Sequence, residues 1–97
     1  MDLYRLNGHT PVKCKNEKEA GMYRNHFRVA KTTVGEIEIS TVFLAVDHRL
    51  SKAGPPILFE TMVFGGELDQ KQERYSTWEE AEAGHKAMVK QVKQALR

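Results

Sequence analysis

Two neighbouring segments that read as apolar strands, residues 36–46 and 57–64, constrain the fold more than any other feature of the chain. The first half of segment 36–46 alternates apolar and polar side chains, as a strand with one face in water does, and its second half is continuously apolar. Both segments are rich in β-branched and aromatic residues and too short for membrane helices. The sequence therefore predicts two buried strands joined by the polar loop 47–56.

A simple hairpin between these strands would place Val46 opposite Ile57 and Phe43 opposite Glu60. In that register both faces are apolar. One face carries Ile39, Phe43, Ala45, Leu58, Met62 and Phe64, and the other carries Val42, Leu44, Val46, Ile57, Phe59 and Val63. Because helices on one side cannot cover two faces, we expect either one helix on each face or a second copy of the chain, most simply in a homodimer.

The C-terminal segment has the clearest helical pattern. Ser76 with Glu79, or Thr77 with Glu80, matches the capping box that begins a helix. One helical stripe then collects Trp78, Ala81, His85, Met88, Val92 and Ala95. Acidic side chains near the start and basic ones near the end suit the helix dipole, so the sequence predicts a helix over residues 77–95.

Shorter elements complete the predicted order. Asn16 is a suitable N-cap for a helix over residues 17–26, and Asn7-Gly8 favours a tight hairpin turn. Further strands are predicted over residues 3–6, 10–14 and 27–34. Short connections favour antiparallel pairing, so we predict one α+β domain over residues 1–97. It would contain an antiparallel sheet of about five strands and two helices, the second long and C-terminal.

The composition excludes several classes of protein. Ninety-seven residues suffice for one core, and 15 Lys and Arg against 13 Asp and Glu leave a net charge of +2. That charge predicts no general attraction to nucleic acid or acidic membranes, and neither a membrane helix nor an export signal is recognisable. The single cysteine, Cys14, excludes an internal disulfide and a cysteine-built zinc site, so we expect a reducing, cytoplasmic location.

Glu60 is the most unusual polar position because its neighbours in the predicted strand are apolar. A carboxylate in such surroundings is costly unless it is paired or protonated. The candidate partners are Arg28, Lys31, His48 and His85. A structural ion pair is favoured on general grounds, and the alternative is a general base or a ligand contact.

Three further polar residues are candidates for a site. His85 lies on the apolar stripe of the last helix, where a histidine is usually a core residue hydrogen-bonded to the sheet. If it faced Glu60, the pair could perform acid–base chemistry. Asp47 and His48 directly follow an apolar strand, a position typical of binding sites and of turns alike. We predict Asp47, His48, Glu60 and His85 as binding residues and expect no catalytic residue, metal ligand or cofactor.

Motifs for catalysis and cofactor binding are missing from the sequence. No close ligand spacing occurs among the residues available to a metal, which are His9, His26, Asp47, His48, Glu60 and His85. Gly65-Gly66 lacks the pattern of a nucleotide-binding loop. Cys14 has no recognisable base, although Lys13 and Lys15 would lower its pKa. A partly basic helix face, either solvated or in contact with nucleic acid, is formed by Lys86, Lys90, Lys93 and Arg97.

Two stretches of the chain resemble a known family. The first runs from STVFLAVDH at residues 40–48 through GPP at 54–56 to LFETMVFG at 58–65, and the second is RYSTWEEAEAGH at 74–85. They resemble small uncharacterised proteins encoded in bacteriophages and prophages, over about residues 36–89. The resemblance implies a phage-encoded protein that acts inside a bacterial cell. Small accessory phage proteins often bind host components, including defence systems.

These observations support one leading hypothesis and two alternatives. The leading hypothesis is a homodimeric phage protein that binds and modulates a host component without catalysis, through an exposed part of the sheet or the loop 47–56. The first alternative is a small-ligand or nucleotide-binding protein or small hydrolase that uses Asp47, His48, Glu60 and His85. The second is a nucleic-acid-binding protein that uses the basic end of the last helix.

Overall fold

The computed structural model of the chain describes residues 2–22, 28–51 and 53–96. The elements in chain order are β1 (Tyr4–Asn7), β2 (Thr10–Lys13), α1 (Glu17–Met22), β3 (Arg28–Val34), β4 (Ile37–Phe43), β5 (Phe59–Phe64), β6 (Gln72–Tyr75) and α2 (Trp78–Ala95). β1 and β2 form a two-stranded sheet, and the other strands form an antiparallel sheet in the order β3-β4-β5-β6. The predicted α+β class, with two helices and the second long and C-terminal, is confirmed.

Several element boundaries differ from the predicted ones. The sequence pattern does not predict β6, because its Gln-Glu-Arg-Tyr sequence is polar and lies at the edge of the sheet. The two central strands are shorter than expected, since β4 ends at Phe43 and β5 begins at Phe59. The end of the predicted helix 17–26 and the start of the predicted strand 27–34 fall on residues 23–27, outside the described residues.

Both helices begin with the caps that the sequence predicts. The Glu80 N–H donates to Thr77 Oγ1 and the Thr77 N–H donates to Glu80 Oε1, each at 3.1 Å, so the second of the two possible capping boxes starts α2. In α1 the Glu19 N–H donates to Asn16 Oδ1 at 2.9 Å. Neither helix, nor any other helix in the described part of the chain, is long and apolar enough to cross a membrane.

The core lies between α2 and one face of the four-stranded sheet. α2 contributes the buried residues Ala81, His85, Met88 and Val92. Opposite them, β4, β5 and the residue before β5 contribute Ile37, Ile39, Thr41, Phe43, Leu58, Phe59, Thr61 and Val63. Each large apolar side chain buried here stabilises the fold by about 1.5–3 kcal/mol. The β1–β2 hairpin closes one end of this core, where Tyr4 and Leu6 pack against the cluster around Phe43 and Phe59.

The register of the central hairpin differs from the predicted one by one residue. Phe43 pairs with Phe59, not with Glu60, and Val42 takes the position opposite Glu60. The prediction is wrong because Val46 forms a bridge with Leu3 and not with Ile57. At Ala45 the backbone turns through a positive φ of 65°, and the Ala45 carbonyl accepts from the Tyr4 N–H at 2.7 Å. The chain therefore leaves the β4–β5 ladder for β1 before Val46.

This register also changes the composition of the two faces. Phe59 and Val63 join Ile39 and Phe43 beneath α2, so the apolar side chains concentrate on one face. The opposite face, which we call the open face, is mixed and not apolar as expected. On β4 and β5 it carries Glu38, Ser40, Val42, Glu60, Met62 and Phe64. Of these, Phe64 is 45% exposed.

The open face weakens the reason for expecting a dimer. A face of four strands of about six residues has an area of about 400 Å², which is the most that it could bury on each partner. Stable interfaces bury about 800 Å² per partner. A second copy on this face alone would thus form a small, partly charged interface. Homodimer formation stays a prediction with less support than the sequence suggested.

We predict that Gly84→Ala destabilises the fold, although it removes a glycine from a helix interior. An added Cβ at this position would overlap the phenol ring of Tyr75. The expected loss of about 1–3 kcal/mol from overpacking outweighs the gain of about 1 kcal/mol in helix propensity. Urea unfolding measures this change. In a Tyr75→Ala background the same substitution should become stabilising, and a stabilising effect in the wild-type background would contradict the prediction.

Candidate functional site

The loop between β4 and β5 is held at its base by the Asp47 carboxylate. Asp47 Oδ1 accepts from the backbone N–H groups of Arg49 and Ile57, each at 3.0 Å. Asp47 Oδ2 accepts from Arg49 Nε at 2.6 Å, and Arg49 Nη1 donates to the Gly54 carbonyl at 2.6 Å. The His48 N–H also donates to the Ile57 carbonyl at 2.9 Å. The Asp47 carboxylate and the Arg49 guanidinium therefore connect the start of the loop with Gly54 and with its end at Ile57.

The surroundings of Asp47 favour its ionised form. Partial burial opposes ionisation, but the backbone hydrogen bonds from Arg49 and Ile57 and the guanidinium of Arg49 outweigh it. The pKa of Asp47 therefore lies below its usual value. A carboxylate that already accepts three hydrogen bonds is poorly suited to accept a proton from a substrate. Asp47 serves the loop as a clamp.

An open depression lies between this loop and β6. Its lining combines the apolar side chains of Leu50, Ala53, Pro55 and Ile57 with the polar residues His48, Arg49, Ser51 and Arg74. Leu50, one of these residues, is fully exposed, at 106% of the reference value. None of the described residues that line the depression carries a carboxylate.

Glu60 forms an ion pair with Arg74 on the open face. Arg74 Nε donates to Glu60 Oε2 at 2.9 Å, and the Glu60 side chain is 14% exposed whereas that of Arg74 is 40% exposed. The two residues are direct cross-strand neighbours of β5 and β6. The proposed partners of Glu60, Arg28, Lys31, His48 and His85, are thus replaced by a residue of β6, a strand that the sequence pattern does not predict.

On the other side of the sheet His85 is hydrogen-bonded to two threonines, one of which bonds a third. Its Nδ1 lies 2.7 Å from Thr41 Oγ1, and its Nε2 lies 2.8 Å from Thr32 Oγ1. Thr41 Oγ1 in turn lies 2.6 Å from Thr61 Oγ1. A neutral imidazole has one donor and one acceptor nitrogen, and hydroxyl groups satisfy either. Burial lowers the pKa of His85 below its ordinary value of 6.5, which favours the neutral ring.

The structure separates the four predicted binding residues into two groups. Asp47, His48 and Glu60 lie on the loop and open-face side, where His48 and the Glu60 partner Arg74 line the same depression. His85 projects from α2 onto the covered face of the sheet, where it is hydrogen-bonded to Thr41 and Thr32. Val42 and Glu60, the neighbours of Thr41 and Thr61 along their strands, belong to the opposite face. The contact between His85 and Glu60 on which acid–base chemistry would depend is not formed.

Three residues that form hydrogen bonds in this region were not identified from the sequence. Arg74 donates a hydrogen bond to Glu60, and Arg49 donates one to Asp47. Thr41 is hydrogen-bonded to the buried imidazole of His85. The only sequence signal for Thr41 is its position, since it continues the alternation of Ile37 and Ile39 toward the core. Nothing in the local sequence distinguishes Arg74 from other exposed arginines.

The remaining candidates for chemistry are the potential metal ligands and Cys14. No group of three or more potential ligands for a metal occurs within residues 2–22, 28–51 and 53–96. His26 lies outside the described residues. Burial and the carboxylate of Glu19 raise the pKa of Cys14 against the opposing charge of Arg5. The expectation that neighbouring lysines lower that pKa is therefore wrong.

The basic face of α2 is present in part. Lys86, Lys90 and Lys93 are exposed on adjacent turns, and none forms an ion pair with another described residue. Arg97 lies outside the described residues. Three spaced lysines are compatible with a solvated surface and with phosphate contacts, so both interpretations stay open.

No family model, no curated protein and no solved structure matches this chain. The resemblance to phage-encoded proteins therefore stays a prediction, and the candidate site depends on its own geometry.

We predict that the free energy of unfolding falls as the pH decreases below 6.5, in part through His85. Unfolded His85 binds a proton near its ordinary pKa, whereas the folded residue binds one only at lower pH. Its stabilising contribution is thus complete above 6.5 and declines below it, by at most about 1.4 kcal/mol per pH unit. Urea unfolding between about pH 7.5 and 5 should show a shallower dependence for His85→Gln than for wild type. Identical slopes would contradict this.

We also predict that Asp47→Ala loosens the loop without unfolding the core. The Arg49 and Ile57 amides lose their acceptor, so their hydrogen exchange should accelerate by at least about tenfold, while core amides of β4 keep their protection. Ser51→Ala is the matched control in the same loop, because its exposed hydroxyl accepts only one long contact from the Ala53 N–H, at 3.4 Å. Equal exchange in the two variants would show that Asp47 does not hold the loop.

Proposed function

We propose that this chain is a non-catalytic binding protein whose binding surface is the clamped loop 47–57 and the depression beside it. The observation that carries the proposal is Leu50, fully exposed on a loop that is tied at both ends. A single exposed leucine is ordinary on a protein surface. Here Leu50 lines the depression together with Pro55 and Ile57, so the apolar surface is made of more than one side chain.

The order of the loop supports binding. Association costs free energy for every side chain and loop that must be immobilised. The hydrogen bonds of Asp47 and Arg49 already order the loop in the folded chain. A partner would therefore bind a preformed surface, with a smaller loss of loop entropy.

Two of the candidate acid–base groups have structural roles that count against the hydrolase alternative. Asp47 is committed to the loop, and His85 to the threonine network beneath α2. A reaction would have to disrupt one of these arrangements before either group could exchange a proton with a substrate. A ligand that binds at the surface needs no such change.

The partner we propose is a component of a bacterial host. This part of the proposal rests on the resemblance to phage-encoded proteins, which implies an accessory protein in the bacterial cytoplasm. Host proteins that act in defence are one such class of partner. Contact with nucleic acid through Lys86, Lys90 and Lys93 is the alternative that the exposed, unpaired lysines support.

We predict that Leu50→Glu abolishes capture of the partner from a bacterial lysate. A charge in place of an exposed apolar anchor should weaken binding by at least about tenfold, or about 1.4 kcal/mol. Quantitative mass spectrometry of captured proteins measures the effect. Leu96→Glu is the matched control, because Leu96 is also exposed, at 58%, but lies at the end of α2.

The control variant must retain the partner that wild type captures. Retention of the same partner by Leu50→Glu would refute the loop as binding surface. If instead a Lys86/Lys90/Lys93 triple glutamine variant loses captured nucleic acid that wild type retains, the nucleic-acid alternative prevails, and salt should weaken that binding steeply.

A further inference from the structure

We propose that the depression beside Leu50 binds a carboxylate side chain flanked by an apolar residue, presented by a segment of a partner protein. This inference rests on the proposed function and names the chemistry of the partner. It follows from how Arg74 is held, from the apolar residues that line the depression with it and from the balance of charge around the depression.

Arg74 presents an unused hydrogen-bonding edge. Its Nε donates to Glu60, which fixes the plane of the guanidinium, while no hydrogen bond to another described residue engages its two terminal nitrogens. These nitrogens carry four of the five N–H donors of the group. A planar pair of donors at this edge matches the two oxygens of a carboxylate. With 40% of its side chain exposed, Arg74 is accessible to a ligand.

Half of the residues that line the depression are apolar. Ala53, Pro55 and Ile57 line it together with the exposed Leu50. A ligand that carried only charge would leave these side chains uncovered, and a purely apolar ligand would cover the Arg74 edge without replacing its water. A carboxylate next to an aliphatic or aromatic side chain satisfies both.

The local charge favours one carboxylate over a polyanion. Two arginines, Arg49 and Arg74, are each paired with a carboxylate, Asp47 and Glu60 respectively, so the four formal charges cancel. The side chains of the two carboxylates are only 12% and 14% exposed and do not line the depression, whereas both arginines do. A nucleic acid needs a surplus of positive charge. A single acidic side chain needs only the terminal N–H donors of Arg74.

The test is an NMR titration of the full chain at neutral pH with two short peptides, acetyl-Leu-Glu-Leu-amide and its counterpart acetyl-Leu-Gln-Leu-amide. The acidic peptide should shift the resonances of loop 47–57 and of the Arg74 Nε–H. The amide peptide should bind about threefold to tenfold more weakly, the range expected for an exposed charged pair with partial desolvation. Equal affinity of the two peptides, or equal shifts with acetate alone, would overturn the proposal.

Variants assign the effect to Arg74. Arg74→Gln should remove the preference for the acidic peptide, and Arg74→Lys, which keeps the charge but not the planar pair of donors, should restore it only in part. Lys90→Gln is the matched control and should bind as wild type does. The same spectra report whether each variant is folded. A preference that survives in Arg74→Gln, or that disappears in Lys90→Gln, would overturn the assignment.

This test can fail independently of the proposed function. If Leu50→Glu abolishes partner capture while neither peptide shifts the loop, the loop binds a partner of another chemistry and the carboxylate proposal is wrong. If the acidic peptide binds at Arg74 but Leu50→Glu still captures the partner, the carboxylate site is correct and the proposed role of the Leu50 surface in partner capture is wrong.

Discussion

The packing of α2 on the sheet depends on the hydrogen bonds between His85 and the threonines beneath it. His85 lies on the same buried stripe as Ala81 and Met88, where an unsatisfied imidazole would cost about 1–3 kcal/mol for each unpaired nitrogen. Thr41 and Thr32 satisfy both nitrogens, and Thr61 completes the network. Because these bonds need one axial position and one rotation of α2, they favour the observed packing over any that would leave the imidazole unpaired.

The sheet separates the polar residues into a set beneath α2 and a set on the loop and the open face. Beneath α2, His85 and the threonines are satisfied by one another. On the other side, each of two carboxylates holds an arginine: Asp47 holds Arg49 within the loop, and Glu60 holds Arg74 at the edge of the sheet. The first pair gives the loop its order and the second presents guanidinium donors at its border. These arrangements are the basis for proposing recognition of a partner over chemistry on a substrate.

Local patterns in the sequence predicted the elements well and their pairing less well. The capping box of Thr77 and Glu80 and the helical stripe around His85 locate α2 correctly, because both arise from contacts within one or two helical turns. The register of the central hairpin was predicted from Val46 opposite Ile57, and it is wrong because Val46 pairs with Leu3, more than forty residues away. No local pattern reports such a competing partner.

The sequence by itself determined the α+β class, the two capped helices, the apolar central strands and the position of a core histidine. These depend on periodicity and on hydrogen bonds between near neighbours. Only the tertiary structure decided which face α2 covers, which carboxylate meets which arginine and that Glu60 and His85 lie on opposite sides of the sheet. A shift of one residue in strand pairing moves every side chain to the other face, and that choice depends on contacts between distant parts of the chain.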